Sequence, residues 1–386
     1  MSTGKEFVKQ EILKYEHIPF NVYEKSFGSY KRFIGNAAKK NKLTYKQIKG
    51  KKFSYLLEGN KQVGKFTGLK PPSTGRIASQ ICNDKFRLEN FLRKMQSPVL
   101  VSQNIFEKSQ AYKLINKDCS HTYVLKPVGL AGGDGIELNI DPTNFSDAWD
   151  NSIKIQREKD IKEPSCIVQP YVNGFDIRIS IIEGRFISAL LRLPPNIIGD
   201  GKQSIKSLID QKNNNRAMTP YFKNKLISID LKLERRLAED GFDLNSIPDK
   251  GEVLILNDIS NLTLGGESID VTDEISDDIK QAAIEATAAI PELYSAGVDM
   301  MSEDFRNGKG QILEINTNAN YTMHHVPLKG EPKYPFDILV QSIFIKYKTR
   351  NGISLTEEET EILKEITQFD ILKSKKMTSI FELTDI

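Results

Sequence analysis

ILEIN, residues 312–316, read against AGVDMM at 296–301, decides how the centre of this chain folds. Side chains alternate faces along a strand, so Glu314 and Asn316 point the same way. Asp299 closes an apolar run that reads as the neighbouring strand. Three oxygen-bearing side chains then converge on one point. Hard divalent cations such as magnesium take oxygen ligands, often one or two carboxylates together with nucleotide phosphates. Ordinary strand-end polarity is the competing account, and a nucleotide site elsewhere in the chain weighs against it.

Such a site begins at VLKPVGLAGGDGI, residues 124–136. A short apolar stretch delivers Lys126, and Gly129, Gly132, Gly133 and Gly135 follow in a dense loop. Glycine lets backbone amides approach a phosphate with no Cβ in the way. Successive amides in such a turn form an anion-binding concavity, and lysine adds a mobile point charge. GNKQVGKF at 59–66 imitates a P-loop but puts Phe66 where the metal-binding Ser or Thr belongs. Gly68, Pro71 and Pro72 then oppose the helix such a loop must open, so the match is rejected.

CIVQPYVNGFDIRISII, residues 166–182, supplies a third element. A short apolar strand ends at Val168, and Gln169, Pro170, Tyr171 and Val172 make a hinge able to bond an adenine edge, with Tyr171 packing on the base. Asp176, Arg178 and Ser180 alternate with isoleucines, as on a half-buried strand whose polar face meets something. A turn at 183–184 returns the chain along 186–191 to Arg192. Two arginines on adjacent strands can clamp a phosphorylated or carboxylate group.

The ordered set of Lys85, KPVGLAGGDGI, VQPYVNGFDIR, PPNIIGDG, GVD and LEIN resembles the ATP-grasp carboxylate–amine ligases, most of all cyanophycin synthetases and the ATP-grasp half of bifunctional glutathione synthetases. The resemblance spans residues 76–344. It implies an α+β, ATP-grasp fold in which two α/β subdomains clasp ATP. It also implies activation of a carboxylate as an acyl phosphate, attack by an amine, and release of ADP and phosphate. Carried over by position, Lys85 and Lys126 would hold phosphates. Gly132, Gly133 and Gly135 would lie in the loop closing over them. Gln169, Tyr171 and Val172 would meet the adenine, and Asp176 the ribose. Arg178 and Arg192 would be catalytic, holding the transferring phosphoryl group. Asp299, Glu314 and Asn316 would bind magnesium, with manganese as an alternative.

Two departures bear on the substrate. Relatives follow the final Asn with small residues and Pro-Gly, where this chain has TNANY ending in Tyr321. Relatives also carry an arginine where this chain has Asn257-Asp258. His324 and His325 lie near the site, with packed or solvated side chains favoured over substrate contact.

The remaining sequence frames these motifs. At 386 residues the chain exceeds one ordinary core, and 39% hydrophobic with 27% charged residues is a globular balance. No apolar run approaches the roughly 18 residues of a membrane span, and no signal-peptide pattern opens the chain. Cys82, Cys119 and Cys166 show no metal spacing; a reducing cytoplasm is expected. Residues 31–70 carry twelve Lys or Arg and one acid, Glu58, in a chain of net charge +3. That excess fits either a solvated surface or a patch for an anionic partner; nucleic acid is disfavoured, and amino-acid or peptide substrates are expected. Residues 1–75 are read as a divergent basic N-terminal domain, 76–120 as the entry to the ATP-grasp region and 121–195 as the small ATP-binding subdomain. Residues 196–347 are the catalytic core and 348–386 a helical tail; a homodimer is allowed. The tail helix is expected from Thr356 to about Phe369, opened by a Thr356/Glu359 capping box. An apolar stripe from Ile279 to Ile290 predicts another helix, capped by Ser276 and stopped by Pro291. Besides an acid–amino-acid ligase, two readings are kept: a modifier of a ribosomal peptide, and an ATP-binding regulatory module without chemistry. The intact metal-ligand set argues against the last.

Overall fold

The computed structural model describes residues 3–24, 29–130 and 134–384. Helices α1 (Thr3–Lys14) and α2 (Tyr30–Lys40) precede a meander of β1 (Thr44–Gln47), β2 (Phe53–Glu58) and β3 (Lys61–Thr67). GNKQVGKF is therefore a hairpin turn and a strand, with Gly59 at φ 58° at its tip. Several apolar side chains of this region join a core along a later helix: Phe33, Ile34, Leu56 and Phe66 pack with Phe336, Leu339 and Val340.

Next come α3 (Arg76–Cys82) and α4 (Lys85–Lys94). Asp84 caps α4 by accepting from the Arg87 amide at 2.9 Å, which places Lys85 at the first helical position. Strands β4 (Gln103–Ile105), β5 (Tyr123–Pro127), β6 (Glu137–Ile140) and β7 (Cys166–Pro170) form a sheet ordered β4-β7-β5-β6, accompanied by α5 (Lys108–Lys117) and α6 (Phe145–Glu158). Strand β7 runs on through Pro170, so Gln169 sits within the ladder opposite Val124, not in a hinge after Val168. The connection at 171–174 carries the chain to a larger sheet.

That sheet takes β8 (Phe175–Ile182) and β9 (Arg185–Leu193), a tight hairpin. The excursion that follows holds β10 (Asn196–Ile198), α7 (Ile205–Ala217), α8 (Leu231–Glu239) and β11 (Val253–Ile255), where β10 pairs β11. Strands β12 (Glu267–Asp270), β13 (Ala296–Ser302) and β14 (Gln311–Asn316) complete an antiparallel order β12-β9-β8-β13-β14. Period-2 patterning decides its faces. Ile177, Ile179, Ile181, Val298 and Met300 enter a core with Ile279, Ala283 and Ala286 of helix α9 (Asp277–Ala289). Asp176, Arg178 and Asp299 take the opposite face. Helix α9 starts as expected: Ser276 Oγ accepts from the Ile279 amide at 3.3 Å.

Helices α10 (Thr322–His325), α11 (Pro335–Arg350) and α12 (Glu357–Thr384) close the chain. The capping box forms: Thr356 Oγ1 accepts from the Glu359 amide at 3.2 Å, and Glu359 Oε2 from the Thr356 amide at 3.0 Å. The helix, however, runs well past Phe369, because no Gly or Pro interrupts it. Its second half is anchored by Lys373, whose buried Nζ donates to the Ala288 carbonyl at 3.1 Å, Ile290 at 2.5 Å and Leu293 at 3.0 Å. Phe369 seats on Gly184, at φ 79°, where an added Cβ would lie 1.9 Å from the ring. Phe369→Ala is expected to cost about 3–5 kcal/mol in chemical denaturation, the usual loss for a buried aromatic. A change under about 1 kcal/mol would mean that α12 is not seated there. No helix among the described residues is long and apolar enough to cross a membrane.

Candidate active site

The pairing of β8, β13 and β14 builds the site's floor. Asp299 lies opposite Arg178 on β8 and opposite Glu314 on β14, so the three share one row and one face. Arg192 lies opposite Asp176 in the adjacent row. A bulge follows Asp299, leaving Leu313 without a partner on β13. Bulges re-aim side chains beside active sites, and here Leu313 and Glu314 both line the cleft. Asn316 Nδ2 donates to Asp299 Oδ2 at 3.2 Å.

The cleft runs between the two sheets. Lys85, Lys126, Gln169, Tyr171, Val172, Asp176, Arg192, Asp299 and Glu314 all line it. Arg178 and Asn316 are not part of this lining, but each contacts Asp299, which is. Gly135 lies outside the lining, tucked against Pro127 and Ile155. Gly132 and Gly133 fall outside the described residues. Sequence reading missed the apolar walls, contributed by Val124 and Leu138 of the small sheet, Ile136 just before β6, and Met301 and Leu313 of the large sheet. The i, i+2 pair Ile136/Leu138 was a usable signal; the bulge that exposes Leu313 had none.

Charge is dense and mostly paired. Arg192 donates to Asp176 from Nε at 3.0 Å and from Nη2 at 2.5 Å, and its Nη2 lies 3.1 Å from Asp299. Burial alone would lower the Arg192 guanidinium; Asp176 and Asp299 outweigh it and hold it above the usual arginine range. Arg178 Nε approaches Asp299 Oδ1 at 2.6 Å. The two atoms are not aligned as a hydrogen bond, and neither makes another one, although Arg192 Nη2 also lies 3.1 Å from the same Asp299 oxygen. Gly297 makes this position available to the arginine: a Cβ there would lie 2.5 Å from Arg178 Nη1. Asp299, 8% exposed, thus keeps one oxygen without a hydrogen bond, beside Glu314 at 35% and the Asn316 amide. Oxygen donors of this number and type fit a hard divalent cation.

Lys126 reaches Gln169 Oε1, and Lys85 Nζ lies 3.9 Å from Glu314. Burial, then repulsion from Lys85, pulls the Lys126 ammonium down to about 8, with Glu314 opposing. Lys126 is therefore charged below pH 8 and neutral above it, and a phosphate favours the charged form. Affinity for ATP is expected to weaken as pH rises through about 8, with proton uptake on binding above it. Calorimetry at neutral and alkaline pH checks this. Affinity equal on both sides of that pH, or an unchanged pH step in Lys126→Met, contradicts the assignment.

Neither histidine faces the cleft. His324 Nδ1 and Ser188 Oγ share a hydrogen bond of 2.8 Å, and His325 Nε2 accepts from the Phe336 amide at 3.1 Å. Burial lowers both, His325 to about 3. Tyr321 is buried as well, packed edge-on against Phe336. Asp258 does line the cleft, with Arg236 of α8 at 3.9 Å.

Residues 82–319 match the ATP-grasp domain. The chain belongs to the ATP-grasp family. Among curated proteins, this ATP-grasp chain is 28% identical over 305 residues to the glutathione biosynthesis bifunctional protein of Clostridium perfringens, covering 76% of the chain and 38% of that protein. It is 30% identical over 263 residues to cyanophycin synthetase of Crocosphaera subtropica, covering 67% and 30%. A bifunctional glutathione synthetase from Pasteurella multocida superposes with a TM-score of 0.58 at 23% identity, over 79% of this chain and 42% of that one. At that identity the likeness is one of fold. The ATP-grasp chain spans 38% and 30% of the two curated relatives' lengths, so their full activities are not carried over with the family.

Proposed function

We propose that this chain is an ATP-dependent carboxylate–amine ligase that releases ADP and phosphate, with amino acids or peptides as substrates. The observation that carries the reading is the row Arg178–Asp299–Glu314, whose two carboxylates meet a cleft that also holds Lys85, Lys126 and Arg192. Asp299, Glu314 and Asn316 would hold magnesium, which supplies positive charge at the phosphate oxygens when bound. Lys85 and Lys126 grip those phosphates as point charges. The apolar walls and Tyr171 enclose the base. Arg192 offers a planar fork to the transferring phosphoryl group.

The substrate carboxylate oxygen attacks the γ-phosphorus, and the bond to the ADP oxygen breaks. The acyl phosphate is then attacked at carbon by the amine, and phosphate leaves as the amide forms. No side chain in the cleft is assigned as general base, so positioning and charge neutralisation carry the rate. The test is a screen of amino-acid pairs and short peptides for ADP release, with products weighed by mass spectrometry. Hydroxylamine should trap the acyl phosphate as a hydroxamate when the amine is omitted. ATP binding with no ADP release across carboxylate classes, and no hydroxamate, would leave a nucleotide-binding module instead.

A further inference from the structure

The basic stretch at 31–70 gives the β1–β3 sheet a lysine-bearing outer face, which the ATP chemistry does not use. A lysine-rich composition alone would spread evenly along the chain. Instead, these forty residues hold twelve bases and one acid, while the other 346 hold 42 bases and 50 acids. The inner face of the β1–β3 sheet is covered, since Leu56 and Phe66 are fully buried beside α11. Among the described residues nothing covers its outer face, where Lys46, Phe53 and Lys65 are exposed. Register places Lys46, Tyr55 and Lys65 in one row across the three strands, an aromatic ring between two ammonium groups. Phe53, 37% exposed, stands two residues along β2 with Lys65 Nζ 4.0 Å from its ring centroid. Lys49, Lys51 and Lys52 are exposed on the loop beside it.

This face is tied to the active site. Past β3, the Leu69 amide donates to Asn318 Oδ1 at 3.0 Å, and the Gly68 amide donates to the Lys52 carbonyl at 2.8 Å. Asn318 lies two residues beyond Asn316. The end of the sheet bearing Phe53 therefore abuts the exit of the strand that carries Glu314.

We propose that the outer face of β1–β3 is a docking surface for an acidic polypeptide that the ligase modifies. The proposal rests on the ligase reading above and names its substrate class. Lysine stems and the two rings offer apolar contact, while the ammonium groups meet carboxylates. Nucleic acid is the weaker fit, because eleven of the twelve bases are lysine and base readout draws on the bidentate fork of arginine. Attraction between exposed charges acts over a Debye length of about 8 Å at physiological salt, so docking is salt-sensitive.

The test uses the full chain without ATP and a fluorescein-labelled oligo-glutamate, followed by anisotropy. Wild type should bind it, more weakly as salt rises. Lys46→Glu combined with Lys65→Glu should weaken binding about tenfold or more, as two attractions become repulsions. Its thermal midpoint and ATP affinity should stay at wild-type values. No binding by wild type, equal binding by the double variant, or tighter binding of oligothymidylate at the same face would overturn the proposal. Failure of the ligase reading is seen separately, as absence of ADP release, because docking is measured without turnover.

Discussion

Glu314→Ala should lower ligation by at least about a thousandfold, an effect of about 4 kcal/mol on the barrier, while the protein stays folded. Two features of Glu314 separate these outcomes. Its side chain is 35% exposed, and its ion-pair partner is Lys85 at 3.9 Å, itself on the surface. Deleting an exposed pair costs about 0–1 kcal/mol of stability. Yet Glu314 sits directly across from Asp299, and the bulge beside it turns it into the cleft. If the pair holds magnesium, the alanine variant removes charge where the phosphates need it. ATP binding supplies a second readout. With chelator present, wild type and variant should bind ATP alike; with magnesium, wild type alone should tighten. Near-normal turnover at saturating magnesium would reduce Glu314 to a strand-end acid paired with a lysine.

The alternation at 176–180 was readable because it is local: a strand must show one face, and polar residues recur at every second position. The α9 and α12 caps were readable for the same reason, since Ser276 and Thr356 act within one turn. Where those strands go was not readable. Asp299 comes to lie between Arg178 and Glu314 through pairings that span more than a hundred residues on one side, and no periodicity announces a partner. The second half of α12 was legible only as a run without Gly or Pro; what seats it is tertiary, the buried Lys373 ammonium gathering carbonyls at the end of α9 and beyond. The histidines, by contrast, were rightly read as more apt to be packed or solvated than to touch substrate. Their place in the sequence, just past Asn316, invites a substrate role, but Ser188 and the Phe336 amide hold them within the packing.

Arg192→Lys is the second change with a large expected effect, and it should split binding from turnover. Arg192 reaches Asp176 through Nε and Nη2, and Asp299 through the same Nη2. One guanidinium thus spans two carboxylates on neighbouring strands. A lysine keeps the positive charge, so neither acid is left uncompensated in a buried site, where an unpaired charge costs several kcal/mol. It loses the planar fork, and one Nζ on a flexible stem cannot serve both carboxylates and an incoming phosphoryl group in fixed geometry. Affinity for ATP should therefore change by less than about threefold, while turnover falls by roughly a hundredfold, the size expected when a donor aimed at transition-state charge is lost. The thermal midpoint monitors the buried ion cluster. If ATP affinity and turnover fall in parallel with the midpoint unchanged, Arg192 is a ground-state anchor for the nucleotide. The fork that stabilises phosphoryl transfer must then come from Arg178, swung out from its seat over Gly297.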